Sequence, residues 1–398
     1  MGRIVHFGLG NFARAHLLDY TADAGGWDVI GVSLRSASMR DGLAPQGFEY
    51  DLCIQGVGVK RIGILSDILV APNDPDAVLE VMADADIISA TVTEKGYHLD
   101  ADGVLDLNDP AIAADVAGHG PTTFIGFLAK CLAVRKFPVT VMSCDNRVEN
   151  GKALHDAVAR FADAAGLKID WDVARFPNAM VDRITPATTD AVRQISGDAM
   201  AVPTEAFREW VIEDDFAGPR PDWPDVQFVA DVAPHELRKL RMLNGAHSLM
   251  AYAGLARGHT YVHEAVADPD LRQRVEQLMA QAGATLPSSV TGQVPMYAKA
   301  LLERFENPDL GHRLDQIAMD GSQKVPYRFI ATLRDGDAPA VVFGLRAWIA
   351  FCVSETIAGR ELNDPKADQI AKAARSEDPV TALLALVGAS DLAPLMQV

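Results

Sequence analysis

Apolar positions in the first half of the chain gather in short unbroken runs; in the second half they recur every three to four residues. Residues 3–8 (RIVHFG) and 27–34 (WDVIGVSL) are rich in β-branched side chains, as strands buried on both faces require. Runs at 86–93, 122–126 and 138–144 predict further strands, and helical patterns at 124–135 and 151–165 lie among them. Such alternation predicts a doubly wound α/β sheet. After "DWPDVQFVADVAPHE" the pattern becomes long amphipathic helix, at 234–256, 268–281, 293–305, 338–358 and 378–388. Asp378-Pro379 is the start signal of the last. A boundary near residue 230 follows the stretch holding Pro219, Pro221 and Pro224. The pattern thus predicts an α/β domain over 1–230 and an all-α domain over 231–398.

Composition narrows the classes. A chain of 398 residues exceeds one ordinary core. With 49% hydrophobic and 23% charged residues and mean hydropathy of +0.06, it is globular. No apolar run reaches the ~20 residues that span a bilayer, and the N-terminus lacks a signal-peptide pattern, so no membrane partner is expected. A net charge of −18 argues against nucleic acid, which selects basic surfaces, but leaves room for a pocket that takes a small anion. Four scattered cysteines without a CxxC pair read as a reduced, cytoplasmic protein with no thiolate zinc site.

Two stretches carry chemistry. Gly8-Leu9-Gly10-Asn11-Phe12-Ala13 follows the first predicted strand and opens a helix, the context of a dinucleotide loop whose backbone approaches a pyrophosphate. Ala13 stands where a third glycine is usual. The tip of the second strand reads Leu34-Arg35-Ser36-Ala37-Ser38-Met39-Arg40. It has no acid to bind a ribose diol, whereas Arg35, Ser36 and Arg40 suit a phosphate, which leaves NADP open beside NAD. The second stretch is "HELRKLRMLNGAHSLMAYAG". On an unbroken helix Glu236, Lys239, Asn244 and His247 share an arc of about 140°. A desolvated lysine can accept an alcohol proton, an amide can donate to the developing oxyanion, and a histidine can orient the hydroxyl. Rival chemistries lack their residues. No tyrosine has a lysine four positions on, and "HELRK" puts Lys239 where H-E-x-x-H needs histidine. His259 and His263 are spaced to clip a metal but read as structural or substrate-facing. Metal-free lysine chemistry fits best. A non-catalytic dinucleotide-binding sensor is the rival from another class, and it predicts losses at these positions that the chain does not show.

Together "VHFGLGNFARAH", "TVTEKGYH" at 91–98, "SCDNRVENG" at 143–151, "FPNAMVDRITP" at 176–186, "WVIEDDF" at 210–216, "KLRMLNGAHS" at 239–248 and "MDGSQKVPYR" at 319–328 resemble the polyol-specific long-chain dehydrogenases. This is the group of mannitol 2-dehydrogenase and fructuronate reductase (D-mannonate oxidoreductase). The resemblance implies a Rossmann-type N-terminal domain, a helical C-terminal domain and an active site in the cleft between them. It implies Lys239 as general base, Asn146 and Asn244 as amide donors, His247 as the orienting group and Glu236 in proton passage. Thr93 and Glu94 would join Gly8, Gly10, Asn11, Phe12, Arg35 and Ser36 at the cofactor. Asp182, Lys324 and Arg328 would join Asn146 at the substrate. NAD is the expected cofactor, and no metal is expected. A monomer is favoured, with a dimer as the alternative. "TVTEKGYH", with Lys95, looks closest to the fructuronate branch, where Arg328 and Lys324 would meet the carboxylate of a hexuronate; mannitol and fructose form the alternative pair.

Overall fold

The computed structural model describes residues 2–100 and 102–396, leaving out the side chain of Glu94. The chain forms two compact units, Met1–Ala233 and Pro234–Val398.

The first unit contains, among the described residues, strands β1 (Gly2–Phe7), β2 (Trp27–Ser33), β3 (Tyr50–Ile54), β4 (Gly58–Ile62), β5 (Leu65–Val70) and β6 (Ile87–Ala90). It continues with β7 (Val139–Ser143), β8 (Ala174–Arg175), β9 (Ala179–Asp182), β10 (Val202–Thr204), β11 (Glu209–Glu213) and β12 (Gln227–Val229). Six of them make one sheet in the order β5-β2-β1-β6-β7-β8, parallel throughout. Its strands are apolar because helices cover both faces: Val5, Phe7, Ile88 and Val141 lie in one core, Ile4, Val29, Ile87 and Met142 in the other. Chain order reverses between β2-β1 and β1-β6, so the crevice beyond the carboxyl ends of β1 and β6 is where a ligand is expected in such a sheet. Two three-stranded sheets, β10-β3-β4 and β12-β11-β9, complete the unit.

One predicted strand is corrected. Residues 122–126 are a helix start, not a strand: the buried Asp115 accepts from the backbone and hydroxyls of Thr122 and Thr123. The Thr123 hydroxyl then accepts from Gly126 N–H and caps helix Phe124–Val134. β-branched residues here serve the cap rather than a strand.

The second unit is helical. Helices Gly245–Ala256, Pro269–Ala284 and Pro339–Ile357 pack on one another. Among the described residues, Pro339–Ile357 alone is long and apolar enough by composition to cross a membrane, which the sequence reading did not anticipate. It turns Val341, Leu345, Trp348 and Cys352 into the core of the unit.

Candidate active site

The glycine turn is shaped by its backbone. Gly8 has φ +90°, and a Cβ there would lie 2.3 Å from the carbonyl oxygen of Thr91, so no side chain fits. The Thr91 hydroxyl donates to Gly8 O at 2.5 Å and meets the His6 ring at 3.1 Å. Burial pushes His6 down to about 4, which keeps it neutral inside the sheet. Around Gly10, by contrast, no heavy atom lies within 4 Å of a built Cβ, and helix Asn11–Ala15 begins there without a side-chain cap. Gly10, at the start of this helix, lines a pocket of about 550 Å3. Gly8, Gly10, Arg35, Ser36 and Thr93 line this pocket, together with Thr122 and Thr123, which the sequence reading missed. These features fit a bound pyrophosphate.

Asn11 and Phe12 turn elsewhere. The Asn11 amide donates to Pro186 O and Thr188 Oγ1, and its oxygen accepts from Arg14 at 2.7 Å. Arg14 also donates to Met200 O at 2.5 Å, and Phe12 stacks on His16 with centroids 5.0 Å apart. His16 packs edge-on to Tyr20 and Trp210. Its Nε2 lies 3.2 Å from Glu209 O, and burial holds the ring near 3. The polar signature of the loop thus ties it to residues 186–210, and the side chains of Asn11 and Phe12 do not line the pocket.

At the carboxyl end of β7, Asp145 is buried and accepts N–H bonds from Val92 (3.1 Å) and Thr93 (2.8 Å) and the Tyr97 hydroxyl (3.1 Å). It holds Thr93 at φ +64°, a strained conformation for a β-branched residue. An acid just past a central parallel strand was a readable signal, since ligands meet such sheets at that edge. Asn146, the next residue, is exposed, whereas Asp182 ends β9 and is buried. Glu94 opens a short turn, but its side chain lies outside the described residues.

In the second unit the sequence predicted one unbroken helix over 234–256, and this is corrected. Helix Ala233–Arg238 passes into a π-helical turn, Lys239–Asn244, before α-helix resumes at Gly245. On an α-helix Lys239 and Asn244, five residues apart, would diverge by about 140°. A turn closed i to i+5 narrows this to roughly 50° and rotates His247 with it. The insertion therefore aligns the three side chains better than the regular helix could. Glu236, Lys239 and His247 are all buried.

A second π turn, Pro326–Ile330, packs on the first and carries Arg328. Asn244, His247, Lys324 and Arg328 line one pocket of about 220 Å3, joined by His312, Gln316 and Ile317. Four of the predicted residues thus converge. His312 stands edge-on to His247 at 4.9 Å and, lone in a loop, gave no sequence signal. Burial, then the charges of His312, Arg304 and Arg328, keep His247 well below its ordinary range, and its buried Nε2 has no hydrogen-bond partner among the described residues. Lys324 Nζ donates to Met319 O at 2.6 Å. Arg328 Nη1 donates to Ser248 Oγ at 2.8 Å and, more weakly, to Asn244 O at 3.4 Å. Its Nε and Nη2 have no partner among the described residues. Burial lowers it to about 10, so it remains cationic at neutral pH. Among the described residues, no group of three His, Cys, Asp or Glu is placed to hold a metal ion.

The family model for the mannitol dehydrogenase Rossmann domain matches residues 2–225, and that for the mannitol dehydrogenase C-terminal domain matches 231–395. The chain belongs to the mannitol dehydrogenase family. It is therefore an oxidoreductase with a Rossmann-type first unit and a helical second one. Among relatives of this family, the D-mannonate oxidoreductase of Escherichia coli is 38% identical over 97% of this chain and 88% of its own length. The mannitol 2-dehydrogenase of Pyrenophora tritici-repentis is 37% identical over 96% of this chain and 74% of its own. The Pseudomonas fluorescens mannitol 2-dehydrogenase, solved as a ternary complex with NAD and D-mannitol, superposes with a TM-score of 0.80. It shares 30% identity, over 98% of this chain and 91% of that one.

Proposed function

We propose that this enzyme transfers a hydride between NAD(H) and the secondary alcohol or ketone of an open-chain sugar acid, the mannonate and fructuronate pair being the best fit. In this reading residues 1–230 hold the nucleotide and 231–398 the substrate. The nicotinamide supplies or receives the hydride. Lys239 takes the hydroxyl proton during oxidation and returns it during reduction. Asn244, with Asn146 as the second amide, donates to the oxygen as negative charge develops on it. His247 stays neutral and presents Nε2 to the reacting hydroxyl. Glu236, one turn before Lys239, passes the proton onward, and Asp182 completes the substrate contacts.

The single observation behind a sugar acid is Arg328. A guanidinium with two nitrogens unpartnered among the described residues, in a pocket whose described lining holds no carboxylate, suits a bidentate carboxylate ligand. Lys324 lies in the same pocket, although backbone carbonyls already engage it. A neutral polyol with its ketose is the second reading, favoured by the relative solved with D-mannitol. Absorbance at 340 nm with NADH and a panel of ketouronates and neutral ketoses tests both. Turnover of fructuronate at least tenfold more efficient than that of fructose is expected. Equal or reversed efficiency would favour the polyol reading.

A further inference from the structure

The first-unit pocket has an electrostatic character opposite to that of the chain around it. The chain carries a net charge of −18, yet none of the eighteen described residues lining this pocket is Asp or Glu. Its one guanidinium is Arg35, at the end of β2, where the adenosine ribose of a dinucleotide is held in such sheets. Arg35 makes no hydrogen bond or ion pair with any described residue, unlike Arg40, which Asp41 engages at 2.9 Å. Two hydroxyls stand beside it in the lining, Ser36 and Ser38, with their Oγ atoms 2.9 Å apart.

We propose that Arg35, Ser36 and Ser38 form a subsite for the 2′-phosphate of NADP(H), so that the enzyme takes NADP(H) alongside NAD(H). The proposal rests on reading this pocket as a dinucleotide site. Discrimination against the phosphorylated cofactor comes from a carboxylate that accepts both ribose hydroxyls and repels a dianion. No such carboxylate is among the described residues that line the pocket. An unpaired guanidinium offers two parallel N–H donors to phosphate oxygens. The serine hydroxyls add donors to a phosphate, and they can equally bond the free 2′-hydroxyl of NAD. The same three side chains thus serve both cofactors, with the arginine contributing chiefly to the phosphorylated one.

Fluorescence titration of the full-length protein with NADH and NADPH tests this without any substrate. An NADPH Kd within tenfold of the NADH Kd is expected. Arg35→Ala should shift the ratio of the two Kd values at least tenfold toward NADH, while Arg35→Lys keeps part of the preference. Because Arg35 is exposed, neither variant should disturb folding, which a melting curve checks. In competition, 2′,5′-ADP should displace bound nucleotide better than 5′-ADP does, and added salt should erode that advantage. NADH binding with NADPH more than tenfold weaker, or an Arg35→Ala ratio shift below tenfold, overturns the 2′-phosphate subsite alone. Binding of neither nucleotide overturns the dinucleotide site as well.

Discussion

The glycine turn after β1 and the π turn at Lys239–Asn244 divide labour in opposite ways. At the glycine turn the backbone faces the pocket while the conspicuous side chains, Asn11, Phe12, Arg14 and His16, face the protein and hold the loop in shape. At the π turn it is a side chain that lines the pocket, Asn244, with His247 one turn further on, and the backbone departs from the α-helix between Lys239 and Asn244. A pyrophosphate can be met at close range by several backbone N–H donors, which a turn bare of side chains leaves open. An alcohol oxygen needs one base and one or two strong donors at fixed positions, which only side chains provide. Mutations should therefore act through shape in the first region and through chemistry in the second.

Four expected outcomes put that contrast at risk, in descending size. Asn244→Ala should lower kcat by roughly 10²- to 10³-fold, the usual effect of losing one oxyanion donor, with the NADH Kd within twofold. A large loss of nucleotide affinity would blur the division. Arg328→Gln should cut kcat/KM for a ketouronate by roughly 30-fold, about 2 kcal/mol, and leave a neutral ketose within threefold. Equal losses on both substrates would reduce Arg328 to a scaffold. Arg14→Ala should raise the NADH Kd about tenfold with kcat unchanged, while urea denaturation reads a stability loss of about 3 kcal/mol, because two charge-assisted bonds to Asn11 and Met200 disappear. A fall in kcat would mean that Arg14 does more than hold the loop.

The smallest effect on rate is that of pH. His247 is held neutral, so kcat should show no histidine break near pH 6.5. Stability should respond instead. His6 and His16 titrate near 4 and 3 when folded but near 6.5 when unfolded. The unfolded chain therefore binds more protons as pH falls below 6.5, and each of these histidines costs on the order of 2 kcal/mol between pH 7 and 5. Denaturation at the two pH values checks this, and His16→Gln should flatten the slope by about one proton.

Residue type was more legible than register. The α/β half was readable because parallel strands buried on both faces must be continuously apolar, and the helical half because its apolar period held over long stretches. Of the residues expected at the substrate, Asn244, His247, Lys324 and Arg328 line one pocket, and Lys239 is not among its described lining residues. The π turn was not legible: one extra residue in a turn leaves no mark on composition, and a regular helix is the default reading. Asn11 and Phe12 were assigned to the cofactor by their place in the loop, but which way a side chain faces depends on residues 186–210, far along the chain. His312 was missed because a single loop histidine has no pattern to betray it.

The central claim, that chemistry at the second region belongs to Lys239 while nucleotide binding belongs to the first, is tested most directly by one paired measurement on Lys239→Ala. Steady-state turnover at 340 nm and NADH affinity by fluorescence should be read on the same preparation. The account predicts a fall in kcat of three orders of magnitude or more with the NADH Kd within twofold of wild type. A kcat within tenfold of wild type would contradict it and move the proton chemistry to another residue.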